Sequence, residues 1–274
     1  MKQKKIIFRD DEIIAFCSAT RDTNEIHDPE FMSKLGKRVI VPGMFALSQT
    51  VSLSGDFLKQ QARSLKVLFN SLLSAGDFVT LCVLPDAAEP TEVRLSAINH
   101  KDTLTTHDEY TRISKEEASF TRQFEGILHR LAVDKEQVVS FRRLAGTDDP
   151  DVAHFLFAVS YASQALLRSI AHPQTEIENE IDLVINKNRN LSPFYHNLEI
   201  LIPAPFPVFD PTGTLDYYIH FEREKPLKLY TAHVRCEHEG KLIFQAEYKL
   251  IGIADRIILR MAKTIKHHVE TRDA

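Results

Sequence analysis

The sequence predicts an α+β protein in which one unit, a long buried helix followed by antiparallel strands, occurs twice. Three observations predict it. Two segments of the chain resemble each other, each leads into a helix apolar around most of its circumference, and each helix is followed by strand-like runs punctuated by turn residues. In the repeat, Ile13-Ile14-Ala15-Phe16 matches Val138-Val139-Ser140-Phe141, and Phe45-Ala46-Leu47-Ser48 matches Phe157-Ala158-Val159-Ser160. The offset is 125 at the first match and 112 at the second, so the second copy lacks 13 residues between its anchors.

The first helix is expected from Met44 to Gln60, through Phe45, Leu47, Val51, Leu53, Phe57 and Leu58, and the second from Phe155 to Ile170. A helix apolar on most faces must be buried on most faces. Strands are expected from LKVLFNSLL, DFVTLCVLP, EVRLSAINH and the run from Thr103 to Ile113 in the first half. In the second half they are expected from DLVINKN, NLEILIPAPF, LDYYIHFE, KLYTAHVRCEH and KLIFQAEYKLIGI. Gly76-Asp77, Glu239-Gly240 and Asp210-Pro211 with Gly213 supply turn chemistry between them. The alternation Leu242-Phe244-Ala246-Tyr248 marks a sheet with one buried face. This order resembles that of the hot-dog fold, and two copies make a tandem (double) hot-dog, each antiparallel sheet wrapped around a central helix. The halves are expected at 1–122 and 123–274, linked through the charged, mixed segment from Ser114 to Arg130 and packed together as two subunits of a dimer would be.

A length of 274 residues fits this arrangement, at roughly 150 residues per domain. Hydrophobic residues are 43% and charged residues 26%, a globular balance. No run reaches the ~20 apolar residues of a membrane span, and MKQKKIIFRDDE lacks the apolar core of a signal peptide. Lys plus Arg number 34 against 38 Asp plus Glu, a net charge of −4, which argues against nucleic-acid binding by bulk charge. Cys17, Cys82 and Cys236 are few, odd in number and scattered, as in a reducing, cytoplasmic setting. P-loop, G-x-G-x-x-G, G-x-S-x-G and C-x-x-C patterns are absent, which removes the common nucleotide, esterase and redox readings.

The residues peculiar to the first copy carry the chemistry. Thr20-Arg21-Asp22-Thr23-Asn24-Glu25-Ile26-His27-Asp28-Pro29 precedes Val39-Ile40-Val41-Pro42-Gly43-Met44, which opens the buried helix. A carboxylate and an imidazole can act on one water as general base and acid, and N–H groups at a helix start can stabilise an oxyanion. The same residues also fit an Asx-rich turn with a surface histidine. The phrase resembles the MaoC-like, (R)-specific enoyl-CoA hydratase family (hydratase 2), whose signature is Asp, Asn two residues on, His five on, and a His-Gly pair at the helix start. Glu25, Asp28 and Pro42 stand where that family has Pro, a residue before its acidic position, and His. The resemblance implies that Asp22 and His27 activate a water and that the Gly43 N–H polarises a thioester carbonyl. Asn24, Pro42 and Met44 are expected to support the loop, and Lys37 and Arg38, with Lys34, either meet coenzyme A phosphates or form a solvated loop face. Acyl-CoA or acyl-carrier protein is the implied partner, with no metal or redox cofactor and with coenzyme A or phosphopantetheine only as part of the substrate. A monomeric pseudo-dimer and a homodimer both fit. A hot-dog thioesterase and a non-catalytic acyl-thioester-binding subunit are the alternative readings.

The second copy looks degenerate. Asp149 and His154 keep the five-residue spacing, but Phe155 stands in the place of Gly43 and no loop intervenes. His233, Cys236 and His238 are metal-ligand types, yet on a strand His233 faces away from the other two.

Overall fold

The computed structural model describes residues 3–34, 36–69, 72–84, 92–101, 104–115, 126–170, 191–224 and 229–254. The first half runs β1 (Gln3–Ile7), α1 (Asp10–Thr20), a 3-10 turn (Glu25–His27), α2 (Pro29–Lys34), α3 (Gly43–Val51), a second 3-10 turn (Ser52–Ser54) and α4 (Gly55–Gln60). Its strands follow as β2 (Ser64–Phe69), β3 (Phe78–Leu84), β4 (Glu92–Lys101) and β5 (Leu104–Ser114). The second half runs β6 (Ile127–Val133), α5 (Lys135–Leu144), α6 (Pro150–Ile170), β7 (Leu191–Leu201), β8 (Gly213–Glu224), β9 (Leu229–His238) and β10 (Lys241–Ala254).

The ten strands of the described residues lie in one sheet of order β1-β3-β4-β5-β2-β7-β10-β9-β8-β6. Outwards from the central β2–β7 seam, each half places its second, fifth, fourth, third and first strands in turn, so the connectivity is duplicated. At the seam Leu65 faces Ile200 and Val67 faces Leu198 in antiparallel register, and all four are fully buried. The intervening pair on the opposite face, Lys66 and Glu199, forms an ion pair at 2.9 Å. The period of two thus separates core from outer face within a single pairing.

The helices fill the inner side. In α6, Phe155, Leu156, Phe157, Ala158, Val159, Tyr161 and Ala162 are all buried, as the all-round apolar pattern requires. Asp149 caps this helix, accepting from the Asp151 and Val152 N–H groups at 2.9 and 3.3 Å, and Pro150 occupies the first helical position. The helix therefore begins five residues before the expected Phe155. The expected helix from Met44 to Gln60 is instead broken at Ser52–Ser54. There the hydroxyls of Ser52 and Ser54 bond back to the Gln49 and Val51 carbonyls at 2.7 and 2.9 Å, and Gly55 follows. Such back-bonding competes with the helical ladder and favours a tighter turn.

Further elements depart from the sequence reading. The segment expected to link the halves includes the start of β6, whose Ile127–Arg130 stretch pairs with Asp216–Ile219 of β8. The boundary at 122/123 and the expected strand DLVINKN lie outside the described residues. β1 forms an edge strand against β3, and α1 and α5, the repeated segments that begin alike, pack on each other across the halves. Their equivalent residues Phe16 and Phe141 touch, with ring centroids 5.6 Å apart. Among the described residues no helix is long and apolar enough to cross a membrane.

Phe45 of α3 sits at the centre of the first half's aromatic cluster, stacked on Phe16 at 4.7 Å and edge-on to Phe8 at 5.1 Å. Phe45→Ala is expected to lower the unfolding free energy by about 3–5 kcal/mol, the range for emptying a buried phenylalanine site. Denaturant unfolding checks this, and a loss below about 1 kcal/mol would mean that the cluster is loosely packed.

Candidate active site

The end of α1 sets the first candidate side chain, Asp22, in place. Arg21 adopts a left-handed conformation (φ 51), and the Arg21 and Asp22 N–H groups bond back to the Ser18 and Cys17 carbonyls at 3.4 and 2.9 Å. This is a Schellman-type stop, and it directs the chain off the helix axis at Asp22. It places a non-glycine residue where glycine is usual, at a cost of about 1–2 kcal/mol.

Asp22 then organises the loop. Its Oδ1 accepts from the Asn24 N–H at 3.1 Å, an Asx turn. The Asn24 side chain in turn caps the Glu25–His27 turn through the Ile26 N–H at 3.5 Å. The other carboxylate oxygen, Oδ2, lies 3.9 Å from His27 Nε2, with both side chains about one-tenth exposed. The opposite ring nitrogen of His27, Nδ1, is 2.7 Å from the Ile40 carbonyl. A carbonyl can only accept, so Nδ1 carries the proton and the Nε2 lone pair of the neutral ring is turned toward Asp22. A separation of 3.9 Å is too long for a direct hydrogen bond and suits a bridging water.

The turn is fastened to the segment leading into α3. The Ile40 N–H donates to the Ile26 carbonyl at 3.1 Å. Val39–Val41 is held on its other side by Val41 N–H to the Leu73 carbonyl at 2.9 Å and Ala75 N–H to the Val39 carbonyl at 2.8 Å. Pro42 occupies the N-cap position of α3 without a side-chain hydrogen bond, and Gly43 is the first helical residue. From Val39 to Val51 every residue is buried except Gly43, which is partly exposed. The Gly43 and Met44 N–H groups open the helix and have no helical carbonyl upstream. A Cβ built at Gly43 would lie 2.9 Å from the Phe69 ring, so a larger residue there would force that ring to move. Met44 is buried in the core.

The remaining sequence candidates have other partners. Arg38 reaches Asp77 Oδ1 at 2.6 Å and the Ala75 carbonyl at 3.1 Å, which ties it to the strand-like segment beside Val39. Lys34 pairs with Glu30 one helical turn away at 2.8 Å, and Lys37 is half-buried, its N–H bonded to the Met32 carbonyl at 2.9 Å. Asp28 caps α2 through the Glu30 N–H at 2.8 Å, ahead of Pro29, which accounts for an acidic residue directly after His27. Cys17, at the same helix end, has its thiol pushed up by burial and, secondarily, by the Asp22 charge, and so stays protonated.

In the second half, Asp149 and His154 are drawn to different partners. Asp149 caps α6 and takes Lys59 at 3.1 Å. Burial opposes its charge, but Lys59 and the helix-start N–H groups hold the carboxyl below its usual range. His154 Nδ1 donates to the Phe209 carbonyl at 2.8 Å. His233 lies between Glu222 and Glu247, at 3.5 and 3.8 Å. Cys236 is buried and His238 bonds the Thr214 carbonyl at 2.9 Å. Among the described residues no His, Cys, Asp or Glu cluster could hold a metal ion.

The chain is similar in three dimensions to a MaoC-like dehydratase, with a TM-score of 0.55 and 11% sequence identity over 91% of this chain and 97% of that one. It is similar to a MaoC-like dehydratase from Phytophthora capsici, with a TM-score of 0.54 and 11% identity over 90% of this chain and 94% of that one. An acyl-CoA thioesterase II from Mycobacterium marinum has a TM-score of 0.49 and 12% identity over 77% of this chain and 89% of that one. No protein-family model matches the sequence, and no curated protein does. At these identities the first two likenesses establish the fold, a double hot-dog.

The carbonyl of Ile40 makes a spectroscopic prediction. At alkaline pH, nitrogen-15 NMR of the histidine side chains is expected to find His27 with its proton on Nδ1. An Nε2-protonated ring would contradict the hydrogen bond at 2.7 Å.

Proposed function

We propose that the chain is an enoyl-thioester hydratase, acting in reverse as a 3-hydroxyacyl-thioester dehydratase, on acyl-CoA or acyl-carrier-protein substrates. The observation that carries this is the Asp22–His27 pair: two nearly buried acceptors, Oδ2 and Nε2, 3.9 Å apart. Both can accept from one water placed between them. As the water oxygen adds to the β-carbon, its proton passes to the pair and a proton is returned to the α-carbon. Negative charge gathers on the thioester oxygen during this step. The Gly43 and Met44 N–H groups, at the positive end of α3, are the donors that would meet it. A metal or redox cofactor has no part in this chemistry.

The (R) configuration of the hydroxyacyl product follows from the resemblance of the Asp22–His27 phrase to the hydratase 2 signature. On the same reading the first half holds the acid–base machinery and the second is a pseudo-subunit that completes the fold. The reading places the protein in the cytoplasm, where its thiols stay reduced.

Crotonyl-CoA tests the proposal. Loss of the enoyl absorbance without release of thiol is expected. Release of thiol would make the protein a thioesterase, and binding without either change would make it a non-catalytic acyl-thioester module. Asp22→Asn and His27→Ala are each expected to lower kcat/KM by roughly 10²–10⁴-fold with the fold retained. His154→Ala is expected to leave turnover within roughly threefold, because its ring is spent on the Phe209 carbonyl. Wild-type kcat/KM in either first-half variant would overturn the assignment.

A further inference from the structure

We propose that Gln137, contributed by the second half, is a positioning residue for Asp22, its buried amide anchoring the end of α1 so that the carboxylate faces His27. The proposal rests on the reading of Asp22 and His27 as the acid–base pair. Gln137 lies in the first turn of α5 and is 8% exposed. Locally it completes a capping box. Its N–H donates to Asp134 Oδ1 at 2.8 Å, and its Oε1 accepts from the Asp134 N–H at 3.1 Å. That box needs only the carbonyl oxygen, so the amide nitrogen is left for other work. Nε2 donates across the halves to the Ala19 carbonyl at 3.1 Å, and the Arg21 guanidinium meets Oε1 at 3.4 Å.

Ala19 is in the last turn of α1, where carbonyls run out of helical donors. Three residues later stands Asp22. The bond from Gln137 therefore fixes the point from which the loop departs.

The repeat supplies the comparison. At the position equivalent to Gln137 the first half has Glu12, whose carboxylate stays with its own cap, on the Arg9 N–H at 3.2 Å and its guanidinium at 3.0 Å. A carboxylate could not make the crossing bond, because it has no proton to donate. The carbonyl equivalent to Ala19 is that of Leu144, at the end of α5, and it accepts instead from Gln49 Nε2 of α3. Both helix ends are thus tied to the opposite half by a glutamine. Only one of them leads into a loop that carries Asp22 and His27. The other passes through Gly146, in the left-handed conformation that Arg21 holds in the first half, directly into α6.

This near-symmetry gives a matched experiment on the full chain. Gln137→Met and Gln49→Met each remove the cross-half bond to an equivalent carbonyl, Gln137→Met together with the Oε1 contacts to Arg21 and the Asp134 N–H, and both are expected to lower Tm. Hydration of crotonyl-CoA is measured well below either Tm. Gln137→Met is expected to lose roughly tenfold in kcat with KM within twofold, the pattern of a displaced catalytic group, while Gln49→Met keeps wild-type kcat. The NMR titration of His27 provides a readout independent of turnover. In Gln137→Met it should move toward the curve of Asp22→Asn, and in Gln49→Met it should stay with the wild type. Unchanged kcat in Gln137→Met, an equal fall in both variants, or an unmoved His27 titration would overturn the positioning role. If the wild type hydrates no enoyl thioester, the functional reading fails, and the His27 titration alone decides whether Gln137 aims Asp22.

Discussion

The packing of α1 against α5 is the constraint on which the molecule depends. Phe16 and Phe141, equivalent in the repeat, meet at 5.6 Å where the halves join. Each then contacts the equivalent phenylalanine of its own central helix, Phe45 at 4.7 Å and Phe157 at 5.4 Å. The line extends to Phe8 at one end and Tyr161 at the other. Buried aromatic pairs of this kind contribute about 0.5–1.5 kcal/mol each beyond their burial. More important is their continuity, since no half can shift its central helix without disturbing the helix–helix contact. The β2–β7 seam makes the same connection through the sheet, so the halves are joined on two layers.

Duplication leaves room for a division of labour. The 13 residues present only between the first copy's anchors hold much of the loop and α2, and α3 starts at a glycine. In the second copy the matching interval closes directly into α6, and its Asp149 becomes a helix cap bound to Lys59. The same residue types thus serve different ends because the backbone around them differs. A carboxylate at a helix start bonds to N–H groups and a cation. A carboxylate just past a helix end, Asp22, faces a histidine.

Around the loop of the first half, the polar side chains are held by specific partners. Asp77 receives Arg38 and the Ser74 N–H, His27 receives the Ile40 carbonyl, and Asp22 receives the Asn24 N–H on one oxygen. The second carboxylate oxygen of Asp22 and the Nε2 nitrogen of His27 face each other at 3.9 Å. Two acceptors on nearly buried side chains, 3.9 Å apart, are suited to a polar ligand such as water.

Much of this was legible in the sequence by itself. Short-range chemistry determines the duplicated unit, the buried faces of α3 and α6, the alternation along β10 from Phe244 to Tyr248 and the turn residues between strands, because periodicity and caps act within a few residues. The spacing of Asp22, Asn24 and His27 identified a loop of acid–base types for the same reason. At Leu242 the expected alternation fails, since an irregularity in the pairing with β9 buries Ile243 instead. Other features belong to tertiary structure alone. No local rule turns His27 Nδ1 to the Ile40 carbonyl, commits Arg38 to Asp77 or brings Gln137 to Ala19, 118 residues away. The break in the first central helix lay between, since it depends on whether serine hydroxyls find water or the carbonyls of a buried turn. The strand β6 was hidden in a charged segment because only pairing with β8 makes it a strand. Partners distant in sequence are chosen by the closing of the whole chain, whereas helix faces, caps and turns are chosen by neighbours, and that difference in range separates what the sequence determined from what the tertiary structure decided.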